Sequence, residues 1–117
     1  MSFESASPVR RIPVNGRWDV SVEYATAQTD TELQAAPGAG LSLYLVDIYL
    51  VAKGAVDITL EQAGNSLKFK YYANAVGDGV KAGFVEPVKL EENTALTLTT
   101  SAAIPVTAVI VGFIGPA

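Results

Sequence analysis

Residues 18–24 read WDVSVEY, and this short stretch decides the fold class. Its apolar side chains alternate with polar ones, which is the period of a β-strand with one buried face and one wet face. The apolar set is Trp18, Val20, Val22 and Tyr24. The same alternation returns further along the chain, and no segment shows a helical period. The sequence therefore predicts an all-β protein.

A β-hairpin is predicted next to this pattern. Residues 56–62 and 67–72 both alternate apolar and polar side chains, and the turn formers of residues 63–66 separate them. Further short strands are predicted at residues 32–36, 85–90 and 95–100. Residues 37–40 read PGAG and predict a tight turn after the first of these strands. Seven to eight short strands with turn residues between them indicate an antiparallel β-sandwich that is jelly-roll-like.

Glycine and proline define two other features of the chain. Residues 73–84 are rich in Gly and Ala, and this composition predicts the longest loop of the body. Pro87 has no N–H to donate to a neighbouring strand. Residues 85–90 are therefore expected to form a strand at the edge of a sheet.

Two strands, residues 41–52 and 106–114, are apolar on both alternating sets of side chains. Such strands are central and covered on both sides, or they lie at a contact between subunits. We expect them at a threefold interface, because a lone sandwich would expose too much apolar surface. Asp47 interrupts the first strand and is expected at a wet edge or in a structural pairing. The predicted interface residues are Leu43, Leu45, Tyr49, Val109, Val111 and Phe113.

The charge distribution divides the chain into two parts. Residues 1–17 hold all three arginines and one acid, a net charge of +2, whereas residues 18–117 hold five lysines and eleven acids, a net charge of −6. We expect residues 1–17 to form an extended basic N-terminal arm and residues 18–117 to form the sandwich domain. Guanidinium groups on a proline-bearing arm favour docking onto an acidic protein surface. The predicted partner-binding residues are Arg10, Arg11 and Arg17.

The composition excludes most catalytic chemistries. The 117 residues include no Cys and no His, which removes thiolate nucleophiles, the commonest general base and the commonest transition-metal ligand. We therefore expect no enzymatic activity, no cofactor and no bound metal. The net charge of −4 argues against a nucleic-acid partner. The longest apolar stretch, residues 41–52, is too short to cross a bilayer, which argues against a membrane partner.

Four acidic side chains allow a second interpretation. Asp19, Glu23, Asp57 and Glu61 could serve as the paired carboxylates of a glycoside hydrolase. All four fall on the polar sides of predicted strands, where charged residues commonly keep a sheet soluble. We favour a solvated face over catalysis.

The glycine-rich segment raises a comparable question about calcium. Asp78, with Asn74 and Glu86 near it in sequence, could supply oxygen ligands to Ca²⁺. Their spacing matches no established calcium-loop motif. We favour a plain glycine turn.

Two sequence stretches carry a resemblance to a known group of proteins. Residues 31–40 read TELQAAPGAG and residues 96–106 read LTLTTSAAIPV. In this order and spacing they resemble the small β-sandwich modules encoded among the structural genes of tailed bacteriophages. The similarity covers residues 18–114. It implies a jelly roll that decorates a head or forms part of a tail or fibre, frequently as a trimer.

The resemblance leads to two expectations about function. The first is a capsid decoration (cement) protein, a homotrimer that binds the major capsid protein or another virion protein on the phage head surface. The acidic N-terminus lacks the pattern of a secretory signal, so synthesis in the host cytoplasm is expected. The alternative is a tail or fibre module that binds a cell-surface glycan through Tyr72, Phe84 and residues 73–84.

Overall fold

The computed structural model describes residues 16–63 and 66–117, which form eight β-strands. No helix is found in these two ranges, and so none there is long and apolar enough to cross a membrane. The strands are β1 (Arg17–Tyr24), β2 (Thr31–Gln34), β3 (Leu41–Lys53), β4 (Val56–Gln62), β5 (Ser66–Ala73), β6 (Val76–Lys89), β7 (Leu96–Thr100) and β8 (Val106–Pro116).

The strands form two four-stranded antiparallel sheets. Sheet A has the order β1-β8-β3-β6, and sheet B has the order β2-β7-β4-β5. The chain passes from one sheet to the other at every connection except the β4–β5 hairpin. This order is the connectivity of an eight-stranded jelly roll. The predicted antiparallel, jelly-roll-like sandwich is confirmed, with eight strands.

Several local predictions also agree with the structure. Strands β4 and β5 pair as the predicted hairpin, with Asp57 opposite Tyr72. Strand β6, which contains Pro87, lies at the edge of sheet A. The turn before β3 is closed by the Leu41 N–H, which donates to the Gly38 carbonyl oxygen at 3.1 Å. Gly38 has a φ of 114°, which is why glycine stands there.

The predicted loop over residues 73–84 is wrong for most of its length. Strand β6 already begins at Val76, and the tight connection to it is closed by the Asp78 N–H, which donates to the Ala75 carbonyl oxygen at 3.1 Å. Gly79 pairs with Val51, and a Cβ at Gly79 would lie 2.4 Å from the Val51 Cγ2. Position 79 requires glycine because the neighbouring strand approaches it closely. This requirement outweighs the low strand propensity of glycine.

The core lies between the two sheets and includes Trp18. This side chain is 7% exposed and belongs to the buried cluster. It packs over Gly112, its register partner on β8, where an added Cβ would lie 2.5 Å from the Trp18 Cζ2 and 2.0 Å from the Tyr44 carbonyl oxygen. The indole nitrogen has no hydrogen-bond partner among the described residues. Within them, packing against Gly112 holds the ring.

A β-bulge in β3 lies next to this contact. Leu45 is opposite Gly112, whereas Asp47 is opposite the preceding residue, Val111, so Val46 is the extra residue in β3. The extra residue reverses the alternation of side chains along the strand. The core-facing set is Leu43 and Leu45 before the bulge and Ile48, Leu50 and Ala52 after it. Strand β3 therefore has one core face along its whole length.

We expect Gly112→Ala to lower the free energy of unfolding by about 3 kcal/mol, because the new methyl group meets backbone and a packed indole ring. Urea unfolding measures this loss. The matched control is Gly54→Ala, where the three atoms nearest to an added Cβ all belong to the Ile104 side chain, with Cγ2 at 3.2 Å. Equal losses in the two variants would show that Gly112 is not held between Trp18 and β3.

Candidate interaction surface

The outer face of sheet A is apolar and aromatic along its two central strands. Its side chains alternate with the core-facing ones of β8 and β3. The rings of Tyr44 and Phe113 stack with centroids 4.6 Å apart and an interplanar angle of 6°. Tyr49 is 42% exposed. We call this set the apolar stripe, and it consists of Tyr44, Tyr49, Val51, Val109, Val111 and Phe113.

Charged side chains flank the apolar stripe on both edge strands. Asp19 and Glu23 are exposed on β1, and the Glu23 carboxylate accepts a hydrogen bond from the Thr107 hydroxyl at 3.2 Å. On the opposite edge, β6 presents exposed Lys81 beside Tyr49 and exposed Lys89 beside Tyr44. The β1 edge is therefore acidic at Asp19 and Glu23, and the β6 edge is basic at Lys81 and Lys89.

The predicted interface residues divide into two groups in the structure. Tyr49, Val109, Val111 and Phe113 lie together in the apolar stripe. Leu43 and Leu45 are 0% and 1% exposed and pack in the core of the single chain. These two leucines are unavailable to a second subunit, because the sandwich itself covers them.

The bulge explains both this error and the residues that sequence reasoning missed. With a strict period of two, Leu43, Leu45 and Tyr49 belong to one face of β3. The extra residue at Val46 moves Tyr49 to the outer face, which it shares with Tyr44 and Val51. The polar Asp47 directly after Val46 in an apolar run was the available signal for a bulge. In the structure Asp47 is half-buried and lies on the outer face opposite Val111.

Only one of the three predicted partner-binding arginines falls in the described residues. Arg17 is exposed at the start of β1, in register with Phe113. It therefore lies at one end of the outer face of sheet A. Arg10 and Arg11 lie outside the described residues.

The outer face of sheet B has a different chemistry. Its two central strands present hydroxyl and carboxylate groups, with Thr59 opposite Thr99 and Glu61 opposite Thr97. The Thr99 hydroxyl donates to Glu61 Oε1 at 2.8 Å. These groups hydrogen-bond to each other and to the backbone, with the Thr97 hydroxyl donating to the Glu61 carbonyl oxygen at 3.2 Å. The centre of this face is therefore polar.

The two residues predicted for glycan contact lie in different environments. Tyr72 is 60% exposed on the outer face of sheet B, and the Lys70 Nζ lies 5.1 Å from its ring centroid. Phe84 packs inward against the core, edge to face with Phe69 at 6.5 Å between ring centroids. Since most of residues 73–84 belong to β6, the predicted glycan loop is also absent. Of this group, Tyr72 alone presents an open aromatic surface.

The candidate carboxylate pairs are spread over the two outer faces. Asp19 and Glu23 lie on sheet A, whereas Asp57 and Glu61 lie on sheet B. Within each pair, four residues along a strand separate the Cα atoms by about 13 Å. Paired glycosidase carboxyl groups stand about 5 to 9.5 Å apart. Neither pair has the spacing of a glycosidase.

The acidic residue of the glycine-rich segment has a local structural partner. The Asp78 carboxylate accepts a hydrogen bond from the Asn74 N–H at 2.7 Å and so closes the β5–β6 connection. Within residues 16–63 and 66–117, no three acidic side chains are grouped closely enough to hold a metal ion. Asp78 therefore acts in the turn.

A shallow cleft of about 390 Å³ lies near the start of β3. Ser42, Lys89, Leu90 and Glu91 contribute to its lining. The Ser42 hydroxyl is buried and has no hydrogen-bond partner among the described residues. Buried hydroxyl groups of this kind are commonly satisfied by an ordered water molecule.

Comparisons with known proteins give matches among solved structures, and none among protein families or curated proteins. No protein-family model matches the chain, and a search of curated proteins finds no relative. Among solved structures, the chain is similar to one in the cryo-EM structure of the virus-like particle of the extra small virus of the giant freshwater prawn, Macrobrachium rosenbergii. The two chains are 12% identical with a TM-score of 0.37, and the match covers 92% of this chain and 85% of that chain. A likeness at this level assigns no function to this chain.

We expect Leu45→Ala to lower the free energy of unfolding by about 3 kcal/mol, because Leu45 is 1% exposed in the core. Val111→Ser on the apolar stripe should cost less than about 1 kcal/mol in the separated subunit, because its side chain faces outward. Urea unfolding at low protein concentration compares the two variants. Equal losses would contradict the side-chain orientation that the bulge imposes.

Proposed function

We propose that this chain is a virion structural protein, a capsid decoration (cement) protein that binds the exterior of a phage head and stabilises it through protein–protein contacts. The observation that carries the proposal is the difference between the two outer faces of the sandwich. Sheet A presents the apolar stripe, whereas sheet B presents threonine and charged side chains. An apolar face on one side of a small domain is typical of a protein that attaches by that side.

The resemblance to tailed-phage modules supports the same proposal. Residues 31–40 form β2 and the turn that leads into β3, and residues 96–106 run from β7 to the start of β8. The two stretches that resemble these modules therefore lead into β3 and β8, the central strands of sheet A. These two strands carry the apolar stripe.

The proposed partners are the major capsid protein, or another virion protein, and further copies of this chain in a homotrimer. The protein is proposed to act without catalysis, cofactor, nucleic acid or membrane, and to be made in the host cytoplasm before it joins the head surface. Arg10, Arg11 and Arg17 are proposed to anchor it, because guanidinium groups form bidentate hydrogen bonds with carboxylates.

Replacing Arg10, Arg11 and Arg17 by Ser should weaken binding to capsids about tenfold or more, because three charge-assisted contacts are lost. Co-sedimentation with undecorated capsids of the virus that encodes the chain measures this binding. Thermal unfolding should stay unchanged. The control variant, Lys68→Ser with Lys70→Ser, removes positive charge from β5 and should bind normally. Full binding by the arginine variant would refute the anchor.

A second function, glycan binding by a tail or fibre module, is favoured by one observation. The Tyr72 ring is 60% exposed, and Asp57 lies opposite it in register. Exposed aromatic rings stack on the apolar faces of sugars, and a neighbouring carboxylate can accept hydrogen bonds from sugar hydroxyls. This site does not include Phe84, whose ring faces the core.

For this second function, Tyr72→Ala should abolish binding on a glycan array, because the stacking surface is removed. The matched control is Tyr49→Ala, which removes an exposed tyrosine from sheet A and should leave glycan binding intact. If the unaltered protein binds no glycan on the array, the second function is contradicted. The capsid proposal is unaffected by that result.

A further inference from the structure

We propose that the Tyr72 site on the outer face of sheet B selects sugars that carry a carboxylate, with Lys70 as the residue that binds this group. This inference deepens the second function, glycan binding, by naming the chemical class of the ligand, and it rests on that function. Tyr72 stacks on the sugar ring, and Asp57 accepts hydrogen bonds from the sugar hydroxyl groups.

The three side chains lie together at one edge of sheet B. Asp57 is opposite Tyr72 in register, and Lys70 is two residues before Tyr72 on the same face of β5. Side chains that are opposite in register have Cβ atoms about 5 Å apart, and two residues along a strand span about 7 Å. Strand β5 is the last strand of sheet B, so no further strand of this sheet covers the site. One sugar unit can therefore contact all three groups.

Lys70 places a positive charge directly beside the stacking surface. Its Nζ lies 5.1 Å from the Tyr72 ring centroid, which is a cation–π contact. Within residues 16–63 and 66–117, Lys70 forms no ion pair with a carboxylate. The ammonium group can therefore donate to a ligand that stacks on the ring. A carboxylate on the sugar accepts a charge-assisted hydrogen bond from this group, which is stronger than the bond to a neutral hydroxyl.

The other charges on this face are placed so that the β5 edge stays basic. Glu61 Oε1 accepts a hydrogen bond from the Thr99 hydroxyl at 2.8 Å, which holds its carboxylate on the β7 side of β4, away from β5. Glu32 lies on β2, at the opposite edge of the sheet. The two charged residues of β5 are both lysines, Lys68 and Lys70. An acidic sugar at this edge therefore meets positive charge, although residues 18–117 carry a net charge of −6.

Matched pairs of ligands test the proposed class. The acidic probes are oligogalacturonate and sialyllactose, and each is paired with its methyl ester, which keeps the sugar rings and loses the charge. Titration calorimetry at low ionic strength should show that the acids bind about tenfold or more tightly than the esters, because the charge-assisted bond is lost in the esters. Added salt should weaken binding of the acids and should leave binding of the esters nearly unchanged.

Substitutions at the site separate charge from stacking. Lys70→Gln should weaken binding of the acids about tenfold or more and leave the esters unaffected, whereas Lys70→Arg keeps the charge and should bind the acids normally. Tyr72→Ala should remove binding of both forms. The matched control is Lys81→Gln, which removes the charge of an exposed lysine on sheet A and should change neither affinity. Thermal unfolding should change little in all four variants, because the altered side chains are exposed.

Three results would overturn the inference: equal affinity for acids and esters, full binding of the acids by Lys70→Gln, and no binding of either acid. Neutral glycans bound through Tyr72 would leave the second function standing while the proposed class fails. If no glycan of any kind binds, the second function fails as well. The capsid proposal is read separately, from co-sedimentation with capsids.

Discussion

The contact between Trp18 and Gly112 is the constraint on which the rest of sheet A depends. Gly112 lies between Trp18 on one side and Leu45 on the other, at the end of the β3 bulge. A side chain at this position would collide with both the indole ring and the Tyr44 carbonyl oxygen. Because glycine has no side chain, the indole packs directly over this position and joins the core. Residues of β1, β8 and β3 are therefore closely packed around Gly112.

The bulge beside this contact decides the chemistry of the surface. Without the extra residue at Val46, the leucines before the bulge and Tyr49 after it would share one face. With it, the core keeps the aliphatic side chains, while Tyr44, Tyr49 and Val51 face outward beside the valines and Phe113 of β8. One inserted residue therefore gives the protein a core-facing side and an aromatic outer side from a strand that is apolar throughout. An apolar outer face on sheet A is the result.

The error at residues 73–84 has a similar physical origin. Glycine is a poor strand former, so the Gly77–Gly79 region predicts a loop. In the structure, hydrogen bonding to β3 and the close approach of Val51 to Gly79 favour an extended edge strand. Phe84 consequently points toward Phe69 in the core, and Tyr72 remains exposed on the opposite sheet. Local propensity is outweighed here by a pairing partner that lies about thirty residues earlier in the chain.

The sequence by itself determined the all-β class, the alternation of β1, the β4–β5 hairpin, the turn at Gly38 and the edge position of the strand with Pro87. These features depend on side-chain period and turn chemistry, which act between residues close in the chain. Only the tertiary structure decided which side chains of β3 face the core and which charges lie on the two edges of sheet A. Both depend on pairing between strands far apart in sequence, such as β1 with β8. A single bulge shifts that register by one residue and reverses the orientation of every side chain beyond it.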